Sequence, residues 1–126
     1  MLKVLFLVGT GGFIGTVARY LVSLPFQARN ENAFPWHTFI VNVVGCVLLG
    51  FLVGYFEKNA ATSNDVKMFL TMGICGGFTT FSAFTLEGMK MLKNAQVSMY
   101  FLYSFASVGV CLFAIFISYY LIMKLL

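Results

Sequence analysis

Charge is scarce in this sequence. Four acids and eight bases among 126 residues cannot clothe the surface of a water-soluble domain of this size, so a soluble globule is excluded. Cysteine is also sparse. Cys46, Cys75 and Cys111 are odd in number, form no C-x-x-C pair, and each lies in an apolar run. They read as small buried hydrophobes, with support for neither a disulfide framework nor a metal site. The single histidine, His37, follows Trp36 and has no Cys or Asp nearby in sequence. It reads as interfacial, no catalytic constellation is present, and the protein is not expected to be an enzyme. The net charge of +4 comes from bases scattered at the ends of apolar runs. That pattern suits anionic lipid headgroups and gives no reason to invoke nucleic acid.

Apolar length is what the sequence has in abundance. It is 60% hydrophobic, with a mean hydropathy of +0.92. Residues 36–56, 68–86 and 95–123 carry no acid, Lys or Arg, and residues 4–26 carry only Arg19. Each run reaches the roughly 20 residues that a helix needs to cross a hydrocarbon core about 30 Å thick. The fold class expected is an all-α membrane protein, a single four-span domain over residues 1–126. The first run is too long for a signal h-region and no small-x-small site follows it, so it is read as the first span.

The connections are short, over residues 27–35, 57–67 and 87–94. With four spans, Lys3, Lys58, Lys67 and Lys124 share one side of the membrane. Arg29, Lys90 and Lys93 lie on the other, joined by Arg19 if it is counted. Lys/Arg excess in short loops normally sets orientation, and here it nearly vanishes. Two readings follow: insertion in both orientations, with up and down copies pairing as an antiparallel dimer, or a weak bias read from flanking context. Gly11 and Gly15, like Cys46, Gly50 and Gly54, stand at the four-residue spacing of close helix contacts. Such contacts serve packing within one chain or between two.

The third run is not an ordinary helix. Gly73, Gly76 and Gly77 lie within five residues and precede the β-branched Thr79 and Thr80, a poor recipe for continuous helix. A break in mid-span must be buried in protein or line a wet cavity. Carbonyls freed there, at Gly76 and Thr79, would suit a hard cation such as Na+, as in broken transporter helices. A hinge or a close helix crossing is the other reading. Phe81 and Phe84, with Ser82 beside them, share a face once helix resumes, and a ring edge can meet an anion. Core packing is the commoner use of such a pair. Asn42, the one amide of the second span, either offers its NH2 to an anion or bonds a neighbouring helix. Arg19 either snorkels or sets a positive potential at a pore mouth. Tyr103 and Ser107, four apart, could form a polar track in the fourth span.

Three motifs together resemble one family. Gly11-Gly12-Phe13-Ile14-Gly15 with Ala18-Arg19-Tyr20, Thr38 through Val41-Asn42-Val43-Val44-Gly45-Cys46, and Gly76-Gly77-Phe78-Thr79-Thr80-Phe81-Ser82-Ala83-Phe84 are similar, in order, to the helix motifs of the Fluc fluoride channels. The resemblance implies a dual-topology, antiparallel homodimer in the bacterial inner membrane that exports fluoride by passive conduction. It implies two pores per dimer and a structural Na+ at the dimer interface, held by the Gly76 and Thr79 carbonyls. It also places Phe81, Phe84 and Asn42 against fluoride and Arg19 near the vestibule, with Thr38, Ser82, Tyr103 and Ser107 as less sharply marked members of the polar track. Ala83 departs from relatives that carry a hydroxyl there. A small proton-coupled multidrug transporter is the alternative. That mechanism wants a carboxylate deep in a helix, and Glu87 is read as lying just past the end of the third span.

Overall fold

The four apolar runs become four long helices because, in hydrocarbon, a helix satisfies every backbone N–H and C=O within its own segment. The structure, a computed structural model, describes residues 1–28, 30 and 33–126. Arg29 of the charge tally and Glu31 of the first connection lie outside the described residues. The spans are Leu2–Phe26, Trp36–Lys58, Asn64–Lys93 and Val97–Leu125, each long and apolar enough to cross a membrane. No strand occurs among the described residues. The chain is therefore an all-helical, multi-pass integral membrane protein. Between 11% and 28% of the most apolar stretch of each span is buried inside the chain. Most of that apolar surface is thus left to meet lipid or another protein.

The glycine spacings are used within the chain. A Cβ on Gly15 would stand 2.2 Å from the Ile74 carbonyl oxygen, and one on Gly77 would stand 2.4 Å from the Gly12 oxygen. The first and third spans therefore cross backbone against backbone, which only small residues permit. Gly50 and Gly54 serve the second and fourth spans in the same way, against Ile115, Ser118 and Ile122.

The third span consists of two helices in line. Ser63 caps its start, accepting from the Val66 amide at 3.4 Å. Phe69–Cys75 then winds in wide π-type turns, followed by an α-turn at Gly76–Phe78. The backbone opens only at Thr79 (φ −83°, ψ 160°) and Thr80 (φ −153°, ψ 121°). The break therefore falls on the threonines rather than the glycines, which stay helical and let the first span approach. Thr80 restarts the helix as its N-cap, its Oγ1 accepting from the Ala83 amide at 3.1 Å.

The end of this span corrects the sequence reading. The second half runs Phe81–Lys93, so residues 87–93 are helix rather than connection. Asn94 and Ala95 then close it with a Schellman turn. The Gln96 amide donates to Met91 O at 2.9 Å and the Ala95 amide to Leu92 O at 3.2 Å, with Ala95 left-handed at φ 59°. Glu87 consequently lies inside a helix that spans the membrane.

Candidate ion pathway

Asn42 is placed by the second span directly opposite the break. Its Nδ2 donates to Thr80 O at 3.0 Å and its Oδ1 accepts from Thr80 N at 2.8 Å. This two-point clamp takes the amide proton that a continuous helix would have given to the Gly76 carbonyl. Arg19, from the first span, donates through Nη1 to Thr79 O at 3.1 Å. A guanidinium thus reaches the break instead of ending at the interface. Thr79 keeps a helical bond backwards, its amide and its hydroxyl both donating to Cys75 O at 3.0 Å.

Two cavities flank this point. The first, of about 320 Å3, is lined by Asn42, Gly76, Thr79, Phe81, Phe84 and Ser107, among others. The second, of about 500 Å3, is lined by Arg19, Thr38 and Ser82. Thr80 borders both. Phe81 and Phe84 stand 5.5 Å apart between ring centroids, and Phe81 is 74% exposed in the isolated chain. That exposure is not what core packing of the pair would give. Ser82 is exposed, its hydroxyl 3.3 Å from that of Thr80. The Ser107 hydroxyl is buried with no hydrogen-bond partner, a costly state for a polar group. Ser107 is one of the residues lining the first cavity.

Thr38 and Tyr103 belong to a different cluster. Both are fully buried, and both donate at 2.6 Å to the Glu87 carboxylate, Thr38 to Oε1 and Tyr103 to Oε2. His37 Nε2 lies 3.2 Å from the same Oε1. Tyr103 lines neither cavity but packs against Phe84 in a tilted ring pair, 5.0 Å between centroids, which links the two sets of residues. A third cavity, an outer vestibule of about 500 Å3, is lined by His37, Glu87, Lys90 and Lys93. Sequence reasoning missed Glu87, His37 and Thr80. The signal for Glu87 lay in residues 86–93, which read as a good helix with Lys90 and Lys93 in the last turn before Asn94.

Chemically, the break offers carbonyl oxygens with no carboxylate among the residues lining the first cavity. The Gly76 carbonyl is deprived of its helical amide, and the Thr79 carbonyl has one lone pair engaged by Arg19. Such a donor set fits a hard monovalent cation and not a divalent one. The cavities add hydroxyls, ring edges and a guanidinium, groups that suit a small anion.

Polar groups of four helices thus converge on a broken span, which defines the class: a membrane protein built to pass or hold small ions. The chain belongs to the CrcB family, whose model, described as "CrcB-like protein, Camphor Resistance (CrcB)", matches residues 6–119. It is 42% identical over 113 residues to the "Fluoride-specific ion channel FluC" of Flavobacterium psychrophilum, covering 90% of this chain and 91% of that one. It is 44% identical to the protein of the same name from Rhizobium meliloti, covering 87% and 88%. A third relative so named, from Azobacteroides pseudotrichonymphae, is 46% identical over 82% of each chain. The family resemblance read from the three motifs is thereby borne out, and these relatives are named as channels rather than enzymes.

Proposed function

We propose that this chain is one subunit of a passive fluoride channel, an antiparallel dual-topology homodimer with two pores, in the inner membrane of a bacterium. The observation that carries the site reading is the buried Ser107 hydroxyl without a partner, in a cavity shared with Asn42, Phe81 and Phe84. Fluoride holds its hydration water tightly, so a pore must supply replacement donors. Ser107 has a free O–H, and Asn42 retains one N–H beyond the one given to Thr80. The rings of Phe81 and Phe84 add positive edges that stabilise an anion without binding it as tightly as a full charge would. Arg19 raises the potential at the second cavity, where Ser82 adds a hydroxyl. Thr38 and Tyr103 connect to the path through Glu87, whose carboxylate accepts a hydrogen bond from each hydroxyl.

In this reading Gly76 and Thr79 of each subunit would hold a Na+ at the dimer interface. The ion would add fixed positive charge in mid-span beside that of the Arg19 guanidinium, which already reaches the Thr79 carbonyl. The proton-coupled alternative gains one point from the structure, since Glu87 is inside the third-span helix. Its carboxylate, however, is held by two hydroxyls and a histidine, and the relatives' names favour fluoride.

Purified protein in liposomes tests the proposal. Fluoride should leave with no proton gradient present, and chloride should stay. Retention of fluoride, or efflux that stops when a proton gradient is collapsed, overturns it.

A further inference from the structure

His37 stands where two cavities meet. It lines both the outer vestibule and the cavity that holds Arg19, and among the described residues it alone does so. Its side chain is 37% exposed, and the Phe26 ring lies 6.2 Å away between centroids. Nε2 is 3.2 Å from Glu87 Oε1. A nitrogen that close to a carboxylate oxygen donates, so Nε2 carries a proton in the neutral ring as well as in the charged one. The ring therefore gains or loses its charge at Nδ1, and the contact with Glu87 outlives the change. The charged and titratable groups around it are few. The third span brings Glu87, Lys90 and Lys93 to the vestibule, and the first brings Arg19 and Tyr20 to the other cavity. The fourth span adds Tyr103, whose hydroxyl is committed to Glu87.

We propose that the charge on His37 sets how readily an anion crosses between the outer vestibule and the Arg19 cavity, so that protons speed fluoride through the channel. The proposal rests on the fluoride-channel reading and adds a control point to it. Glu87 is the one acid among the groups just named, and an anion passing His37 also passes that carboxylate. With the imidazole neutral, the carboxylate repels the anion. With the imidazole charged, the two form an ion pair and the repulsion is compensated. Histidine is the side chain whose ordinary titration falls between about pH 5 and 8, so the change belongs to conditions a cell meets. The proton stays on His37 while the anion moves, and no proton gradient is spent. One charge about 7 Å from an ion, at an effective dielectric of about 40 to 80, alters that ion's occupancy roughly 3- to 10-fold.

The test is fluoride efflux from liposomes holding the whole protein, at fluoride well below saturation and with the same pH inside and outside. Protein-free liposomes at each pH give the leak of undissociated HF, which is subtracted. Efflux should be roughly 3- to 10-fold faster at about pH 5.5 than at about pH 8. The chain has one histidine, so loss of the pH response on its replacement has one meaning. His37→Gln keeps a neutral donor and should be flat with pH, near the alkaline rate of the unaltered protein. His37→Asn repeats the comparison should His37→Gln fail to fold. His37→Lys carries a fixed charge and should be flat near the acid rate. A structural role alone would change the rate without flattening the profile. Efflux of the unaltered protein that ignores pH overturns the proposal and leaves the channel intact. A pH response that survives in His37→Gln also overturns it, and assigns the titration to another group such as Glu87. Absence of efflux at every pH refutes the channel reading, and this proposal with it.

Discussion

Glu87 carries the largest polar consequence of any one side chain. Its two oxygens are the acceptors for two buried hydroxyls, Thr38 and Tyr103. Glu87→Ala would strand both, and a buried donor left without an acceptor costs about 1–3 kcal/mol. The thermal midpoint in detergent should therefore fall clearly with Glu87→Ala. Glu87→Gln, which keeps one acceptor oxygen, should lower it less, and equal loss in the two variants would remove Glu87 from this role. Ser107 presents the opposite case, since its hydroxyl has no partner to lose. Ser107→Ala should leave stability unchanged or slightly raised while slowing fluoride efflux about tenfold, as befits a lost donor to an ion. Efflux and melting temperature, measured together, separate a pore role from a packing role. For Phe81→Ile and Phe84→Ile, loss of the ring edge is worth about 0.5–1.5 kcal/mol, or roughly 2- to 10-fold in efflux. Normal efflux in both variants would return the pair to ordinary packing.

Among the elements, the third span depends on which glycines the first span presses against. Gly76 has room, since an added Cβ would meet only Thr71 O at 3.8 Å. Gly77 has none, because the Gly12 backbone stands in the way. Gly77→Ala and Gly15→Ala should therefore force the two spans apart and lower the yield of folded protein, whereas Gly76→Ala should purify normally. Equal behaviour of Gly76→Ala and Gly77→Ala would mean that the crossing is not as tight as described. The break itself is held by Asn42. Its clamp on Thr80 imitates a strand pairing, which is why the backbone can open in mid-membrane without orphaned groups on that side. The end of the span has its own weak point. Ala95 occupies the left-handed position of the Schellman turn, where a side chain costs about 1 kcal/mol relative to glycine. Ala95→Gly should raise the thermal midpoint modestly.

At the scale of the whole molecule, charge decides orientation and exposed surface calls for company. The two sides of the membrane differ by at most one Lys or Arg in the tally above, Arg29 included. Single-cysteine labelling at a loop position, on a cysteine-free background, should find copies on both sides. Labelling from one side alone would sink dual topology. Adding several lysines to one loop should bias insertion and reduce efflux, since an antiparallel pair needs both orientations. Replacing Na+ with a bulky organic cation should weaken the dimer if the Gly76 and Thr79 carbonyls hold a cation. A dimer and an efflux rate indifferent to that exchange would dismiss the ion.

The sequence by itself determined that this chain lies in a membrane, where three of its four spans begin and end to within a turn, and which family its motifs match. Those properties are local. Insertion sums hydrophobicity along a segment, and a motif is read in chain order. The third span is the exception, because the sequence reads Glu87 as an end marker, whereas its carboxylate is satisfied inside the bundle by Thr38 and Tyr103. Only the tertiary structure decided who meets whom. It gave Asn42 to the Thr80 backbone, Arg19 to the Thr79 carbonyl, and Thr38 and Tyr103 to Glu87. The physical reason is that the first, second and fourth spans are apolar on nearly every side. With no polar stripe to mark which face turns inward, register and crossing are set by where small residues let backbones touch.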